Sequence, residues 1–269
     1  MSAPEAWHVT RTLRAMELLA VEPRSAPELA DALGVHVRTA RRVLKRLELE
    51  GYVTVTEDRR RRYRPTMRVV ALAGQVVERA ELTGNAVPYV TALRDRLEAA
   101  CHLCVPSHLS ALCLVHAPAG GAETPRPQLR ELVPCHCTAA GKALLAWRDP
   151  WREAVLEQRL ESFTERTTVG PEALRRELAR TVARGYAVED REHEPDTRGV
   201  AAPVFSDKGE AVAALAVAAP VARLPAERYG ELGVAVIRAA DELSAELGFE
   251  PPAQEADEAS PAEQRARAA

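Results

Sequence analysis

The stretch that most constrains the fold is residues 36–64, because two different periodicities meet within it. From Val37 onward, apolar residues recur at spacings of three and four, which lines one face of an α-helix: Val37, Ala40, Val43, Leu44 and Leu47. Gly51 favours the end of that helix, because glycine readily adopts positive φ. Residues 52–56 and 62–64 are typical of two short strands joined by a charged tip. The pattern therefore predicts a helix followed by a wing.

The charge of this stretch is opposite in sign to that of the chain. It carries ten basic and four acidic side chains, a net charge of plus six, whereas the whole chain has a net charge of −3. The helix face opposite the apolar one holds four basic residues: Arg38, Arg41, Arg42 and Lys45. Such a face suits insertion into a groove lined by phosphates. A solvated surface is the usual alternative for an isolated helix, but a second basic cluster follows at wing distance and favours DNA contact: Arg59, Arg60, Arg61 and Arg62.

Two helices are predicted before the basic one. Residues 9–20 repeat apolar side chains at helical spacing, and Pro23 closes that segment. Ser25 and Glu28 form a capping box, which begins a second helix that runs to Gly34. A short turn then separates it from the basic helix, as in a helix-turn-helix. We therefore predict a winged helix-turn-helix over residues 1–65 that binds double-stranded DNA. Arg38, Thr39, Arg41 and Arg42 are predicted to enter the major groove, and Lys45 and Arg59 to Arg62 are predicted to contact the phosphate backbone.

The rest of the chain predicts a second domain of mixed helices and strands. Residues 1–64 carry thirteen basic and nine acidic side chains, so the other 205 residues have a net charge of minus seven. An apolar helix over 67–82, within a linker of residues 66–84, is predicted to pack on a partner. Residues 85–248 then show five strand patterns and a short turn at Asp207-Lys-Gly209, flanked by helices, the first of which is predicted over residues 85–100. This favours an α+β domain, and the tail over 249–269 has too little apolar surface to order itself.

The composition bounds the class of protein. A hydrophobic content of 46% supports substantial cores, and no stretch approaches the ~18 apolar residues of a membrane span. The start lacks a basic region followed by an apolar one, so we expect no signal peptide and a cytoplasmic location. Five cysteines in such a chain indicate reduced thiols.

Several motifs together resemble the IclR family of bacterial transcriptional regulators, over about residues 9–247. Thr39-Ala-Arg-Arg-Val-Leu, with residues 47–53, resembles the recognition helix and wing entry of the family. His136-Cys-Thr-Ala-Ala-Gly-Lys-Ala-Leu-Leu-Ala is similar to its most characteristic run, and residues 184–192 and 201–220 resemble two further blocks. The resemblance implies a winged helix-turn-helix joined by a linker helix to a GAF-like effector-binding domain. It also implies a homodimer or tetramer on a promoter, answering a small molecule without a cofactor.

The resemblance further implies an effector site in the second domain: Val133, Ala139, Ala140, Asp190, Gly199, Ala216 and Ala218. The last three positions tend to carry Cys or Ser in members that hold small keto acids, and this chain has Gly and two Ala there. Because small carboxylates need several hydrogen-bond donors, we expect a larger, apolar or aromatic effector, or none. The wing tip also lacks the usual glycine and carries arginines, which favours phosphate or minor-groove contact.

Other chemistry is possible at the cysteines and at Lys142. Cys101, Cys104, Cys135, His136 and Cys137 are zinc or redox ligand types, although strand alternation points Cys101 and Cys104 to opposite faces. His136 with Cys135 or Cys137 is the candidate for a Cys–His enzyme, but neighbouring residues rarely form such a pair. Lys142 follows a glycine as in a phosphate loop, yet the full motif is absent, which favours a lysine on a helix surface. Buried structural thiols remain the simpler interpretation, as does a turn-forming role for Asp190.

Overall fold

The computed structural model describes residues 3–56, 61–78, 81–120 and 127–251. The chain divides into two compact units, residues 1–80 and 81–269. Within the described residues, no helix is both long and apolar enough to cross a membrane.

The first unit is a winged helix-turn-helix, which confirms the prediction. Its elements follow in the predicted order: α1 (Ala3–Val21), α2 (Ala26–Leu33), α3 (Val37–Leu49), β1 (Val53–Val55), β2 (Tyr63–Pro65) and α4 (Met67–Glu78). The strands β1 and β2 pair antiparallel, with Thr54 opposite Arg64. The tip residues 57–60, which include Arg59 and Arg60, lie outside the described residues.

The turns of this unit arise from the capping signals in the sequence. The Ser25 amide donates to Glu28 Oε2 over 2.7 Å at the start of α2. At the end of α3, Gly51 has a φ of +72°. Its amide donates to Glu48 over 3.0 Å, and the Tyr52 amide donates to Leu47 over 2.8 Å, which together form a Schellman motif. Gly51 therefore ends α3 and turns the chain directly into the wing.

The second unit is built on a six-stranded antiparallel sheet in the order β5-β4-β3-β8-β7-β6. The strands are β3 (Ala100–Ser107), β4 (Ser110–Ala117), β5 (Leu132–Pro134), β6 (Ala187–Asp190), β7 (Thr197–Phe205) and β8 (Ala211–Pro220). The helices are α5 (Glu81–Leu97), α6 (Ala139–Ala146), α7 (Asp149–Leu156), α8 (Pro171–Arg184) and α9 (Tyr229–Glu246), with a 3₁₀ turn at Ala226–Arg228. This confirms the predicted α+β class.

The two faces of the sheet carry separate apolar cores. Helices α6, α7 and α8 pack on one face, which we call the α6 face, and α5 and α9 pack on the other. Strand residues alternate between these cores, so that Cys104 and Ala216 lie on the α6 face while Leu103 and Leu215 lie on the other.

The boundary between α4 and α5 differs from the predicted helices. We predicted one helix over 67–82 and another from residue 85, but α4 ends at Glu78 and α5 begins at Glu81. Gly84 and Asn85 both have low helix propensity. In the structure they lie inside α5, since packing of Ala86, Val90 and Leu93 in the core outweighs that preference.

Candidate nucleic-acid interface and effector site

The basic face of α3 is exposed as the periodicity predicted. Arg38, Arg41, Arg42 and Lys45 are exposed and Thr39 is half-buried, whereas Ala40, Val43, Leu44 and Leu47 are buried against α1, α2 and β1. His36 caps the helix, because its Nδ1 accepts from the Arg38 amide over 3.2 Å. The cationic side chains therefore project from a helix that is held rigidly by its apolar face.

The wing brings one further arginine to this surface. Arg61 lines a cleft together with Arg41 and Lys45 of α3 and with Ser25 at the start of α2. Three cationic side chains from α3 and the wing therefore line one concave surface. This is the arrangement that a phosphate backbone running between the helix and the wing requires.

Arg62 has a different place from the one predicted. It is half-buried, and its Nη2 donates to Glu28 Oε1 over 3.0 Å. The pKa of Glu28 is lowered, first by the Ser25 amide and then by Arg62. The wing is further attached through the Arg24 amide, which donates to the Tyr63 carbonyl over 3.2 Å. Arg62 therefore ties the wing to the capping box of α2, and its guanidinium is already engaged within the protein.

The end of α3 is also tied to the start of α4. Arg68 Nη1 donates to the Glu50 carbonyl over 2.7 Å, and its guanidinium lies 4.8 Å from the ring centroid of Tyr52. Thr66 Oγ1 donates to the Gly51 carbonyl over 2.6 Å. A cation at a helix C-terminus is favoured by the helix dipole, so these contacts fix α4 relative to the recognition helix.

In the second unit, the predicted effector positions on β7 and β8 lie side by side on the α6 face. Gly199 pairs with Ala218, and Ala216 lies two residues before Ala218 on β8, on the same face of the sheet. Ala139 and Ala140 at the start of α6 and Val133 on β5 are buried in the core of the same face. A Cβ at residue 199 would lie 3.5 Å from the Ala139 Cβ, so α6 covers the glycine closely.

This close packing depends on the start of α6. Thr138 caps the helix by accepting from the Gly141 amide over 3.3 Å, and its hydroxyl donates to the Pro134 carbonyl over 2.6 Å. A side chain at Gly141 would overlap the backbone of Cys135. The run Thr-Ala-Ala-Gly therefore permits a helix to begin directly against the chain that precedes it.

The acidic side chain that reaches this place is Glu189, whereas the sequence led us to expect Asp190 here. Because strand residues alternate, Glu189 is buried and its Oε2 accepts from the Ala139 amide over 3.2 Å. It lies opposite Gly199 in the β6–β7 ladder. Burial raises the pKa of Glu189 to about 8, although the Ala139 amide and Lys142 oppose the shift.

Asp190 is held on the outer side of the strand by arginines. Arg198 Nε donates to its Oδ1 over 2.7 Å, and Arg166 and Arg191 also contact the carboxylate. Burial raises the pKa of Asp190, but the three guanidinium groups outweigh it and the pKa is lowered. Asp190 is therefore a stably charged member of an ion-pair cluster.

Lys142 is buried, so the prediction of a surface lysine was wrong. Only 1% of the residue is exposed, and its Nζ donates to Glu192 Oε1 over 2.5 Å. Burial raises the pKa of Glu192, while the lysine opposes that shift. Helical spacing could not predict the burial of Lys142, because the loop after β6 supplies Glu192 and covers the lysine side chain.

Two histidines on the α6 face were also missed. His102 on β3 lies opposite His116 on β4, with ring centroids 5.8 Å apart. They share a face because β4 contains a β-bulge: Cys104 pairs with Cys113, but Leu103 pairs with Val115, which leaves Leu114 as an extra residue. The sequence did contain a signal for this pair, because each of the two otherwise apolar strands includes a histidine.

The cysteines are buried thiols, and three of them donate to backbone carbonyls: Cys101, Cys113 and Cys135. Cys101 and Cys104 lie in opposite cores, as strand alternation predicted. All five cysteines are among the described residues, and all are free and buried. Burial raises the pKa of Cys101 to about 12 and also raises that of Cys135 and Cys137. Within the described ranges, no group of three or more potential ligands could hold a metal ion. These features favour structural thiols.

Comparisons with known proteins identify the chain as a regulator. The family model described as bacterial transcriptional regulator IclR C-terminal matches residues 74–245, and that of the sugar-specific transcriptional regulator TrmB matches residues 16–68. SauR, a transcriptional regulator of Cupriavidus necator, is 30% identical over 237 residues, which are 87% of this chain and 94% of SauR. The HTH-type transcriptional regulator RhmR of Escherichia coli K12 is 28% identical over 247 residues, 91% of this chain and 94% of RhmR.

A solved structure supports the same assignment across both units. An IclR homologue from Microbacterium hydrocarbonoxydans, in complex with 4-hydroxybenzoate, matches with a TM-score of 0.74 and 26% identity. The match covers 89% of this chain and 98% of that one. The matched proteins are transcriptional regulators, which sets aside the alternative of a Cys–His enzyme. The chain belongs to the IclR family of bacterial transcriptional regulators.

Proposed function

We propose that the chain binds promoter DNA through α3 and the wing, and that a small molecule held on the α6 face of the second unit controls this binding. The observation that carries the proposal is the exposed cationic face of α3: Arg38, Arg41, Arg42 and Lys45, with Thr39 beside them. In this proposal residues 1–65 bind DNA, residues 66–84 form the linker and residues 85–248 form a GAF-like effector domain. Of the predicted tail over 249–269, Phe249 packs on the core of the α6 face, and residues 252–269 lie outside the described residues. The protein acts in the cytoplasm, where its DNA lies.

The exposed side chains of α3 and the wing support a division of the proposed DNA contacts into two groups. Arg38, Thr39, Arg41 and Arg42 enter the major groove, and Lys45 and Arg61 contact the phosphate backbone beside the cleft. Arg62 orients the wing through Glu28 instead of contacting DNA itself. Arg59 and Arg60 remain proposed backbone contacts, at positions outside the described residues.

The effector contacts follow from the α6 face. Glu189 replaces Asp190 in the proposed site, together with Val133, Ala139, Ala140, Gly199, Ala216 and Ala218. Small side chains on β7 and β8 leave an apolar floor that suits a planar or aromatic molecule. The 4-hydroxybenzoate complex of the Microbacterium relative is an example of such a ligand. Binding there would favour one arrangement of the DNA-binding units over another.

We further propose that the chain works as a homodimer or as a tetramer. Several large apolar side chains of the first unit are exposed in one protomer: Val9, Leu13, Met67, Val70 and Leu72. Val9 and Leu13 belong to the helical repeat that predicted an amphipathic α1. An apolar stripe left in water indicates a surface that a second copy covers.

Charge reversal in α3 tests the DNA-binding part of the proposal. The substitution Arg42→Glu places a carboxylate against DNA phosphates, and we expect operator affinity to fall by about 100-fold or more. The operator is first located by footprinting of the genomic region around the gene, and affinity is then measured by gel shift. Arg180→Glu, on the exposed surface of α8, is the matched control because it makes the same change of net charge elsewhere. Equal operator affinity of the Arg42→Glu variant and the wild type would refute the assignment.

A further inference from the structure

The His102–His116 pair leaves hydrogen-bonding capacity unused on the α6 face. His102 is 2% exposed, and the two rings are tilted by 52°. In the part of the chain that the structure describes, neither Nδ1 of His102 nor Nε2 of His116 has a hydrogen-bond partner. A buried polar atom without a partner destabilises a fold. Two such atoms on facing side chains indicate a place where a ligand completes the hydrogen bonding.

The pair lies beside the proposed effector floor. Across the sheet, His116 pairs with His102, and His102 pairs with Ala216. In the adjacent row, Ala100 pairs with Ala218 and Ala218 pairs with Gly199. Gly199 in turn lies opposite Glu189. Methyl groups and one glycine therefore separate two imidazoles at one side from a carboxyl group at the other.

We propose that His102 and His116 together bind an acidic oxygen of the effector, the oxygen of a carboxylate or of a phenol on a planar apolar molecule. The inference rests on the proposed effector control and assigns the chemistry of one end of that site. Each imidazole directs an N–H group at the acidic oxygen, and N–H···O bonds of about 2.9 Å let both rings reach one acidic group. The apolar remainder of the ligand lies against the methyl groups of Ala216 and Ala218.

The electrostatics of the free pair agree with this geometry. Burial lowers the pKa of His102 to about 3, with a smaller effect from His116, and burial also lowers the pKa of His116. Both rings are therefore uncharged in the free protein at neutral pH. Uncharged donors bind either a carboxylate or a phenol, whereas a fixed positive charge would favour the carboxylate alone.

Binding of defined probes to the full-length protein tests the inference. Benzoate and phenol are titrated calorimetrically into the wild type and into His102→Phe and His116→Phe, which keep a ring and remove its nitrogens. We expect the wild type to bind at least one probe, and each variant to bind it at least about tenfold more weakly, because a donor to the acidic oxygen is lost. The two probes distinguish a carboxylate from a phenolic oxygen.

The controls separate binding from folding. His108→Asn changes an exposed histidine at the turn of the same hairpin and should leave affinity unchanged. We expect His102→Phe to unfold at a temperature equal to or above that of the wild type, because it removes an unpartnered buried nitrogen. A variant that retains its melting temperature but loses probe binding supports the proposal.

Three outcomes would overturn it. The first is unchanged affinity for the probes in both phenylalanine variants. The second is a wild-type protein that binds neither benzoate nor phenol, although it binds its operator and another metabolite changes that binding. This result would contradict the role of the histidine pair and leave the proposed effector control intact. The third is stabilisation of the wild type, but not of the variants, by Zn²⁺ alone, which would make the pair a metal site. Failure of the wild-type protein to bind any operator would instead count against the proposed function.

Discussion

Three ionisable side chains buried around the start of α6 set the chemistry of the second unit. Lys142 and Glu192 pair with each other, whereas Glu189 accepts a backbone amide and has no cation in direct contact among the described residues. Burial then keeps Glu189 protonated over much of the neutral range, since its pKa is raised to about 8. A protonated carboxyl group can donate a hydrogen bond to a ligand as well as accept one.

The raised pKa of Glu189 predicts a pH-dependent stability. The folded state holds a proton that the unfolded state has released above its ordinary pKa of 4.5, so stability falls as pH rises towards about 8. Glu189→Gln keeps the amide contact and cannot ionise. We expect the variant to gain on the order of 3 kcal/mol relative to the wild type between about pH 5 and pH 8. Chemical denaturation across that range measures the difference. Glu157→Gln, exposed at the end of α7, is the control, and parallel pH profiles of wild type and Glu189→Gln would contradict the prediction.

Single residues were predictable where a repeat fixed their orientation. The period of α3 correctly separated Arg38 and Arg42 from Val43 and Leu47. We expected Asp190 to face the core, but Glu189 does. Neighbouring strand residues face opposite sides of the sheet, and the resemblance alone does not decide which of the two faces inward. Lys142 was misplaced since its burial depends on a loop distant in sequence.

At the scale of elements, the position of α6 depends on the absence of a side chain at Gly141. Gly141→Ala would push a methyl group into the backbone of Cys135, so that either α6 or the preceding chain must move. We expect a loss of roughly 1–3 kcal/mol of unfolding free energy, from overpacking. Gly84→Ala in α5 is the matched control, because a Cβ there meets nothing within 4 Å. It should stabilise the protein by about 0.5–1 kcal/mol. Equal effects of the two substitutions in chemical denaturation would argue against this role of Gly141.

Most helices and strands could be predicted from the sequence, whereas the residue-by-residue pairing of neighbouring strands could not. Helices α2, α3 and α8 and the β7–β8 hairpin were marked by capping residues, apolar spacing and turn glycines. The bulge at Leu114 carries no comparable mark, because it reflects how both faces of β4 pack and not a local preference. A regular hairpin would place His116 on the face opposite His102, which is why their meeting was not foreseen.

At the scale of the whole molecule, the exposed apolar residues of α1 and α4 predict assembly. Leu13→Glu, alone or combined with Leu72→Glu, places a charge on that surface, and we expect the mass measured by analytical ultracentrifugation to fall to that of a monomer. Operator affinity should fall by about 100-fold or more, because two linked half-site contacts become independent. Val169→Glu, at a comparably exposed apolar residue of the second unit, is the control. A substituted protein that keeps the wild-type mass would contradict the proposed interface.

The bulge in β4 has a consequence for how chains of this kind diversify. Because the extra residue Leu114 is absorbed at one point, the strand on either side keeps its pairing, with Cys113 opposite Cys104 and His116 opposite His102. Loss of that single codon would leave every later side chain of β4 on its present face. Insertions and deletions at this point are therefore compatible with a conserved ligand-facing surface. Descendants can differ in length here and still present the same chemistry to the same class of molecule.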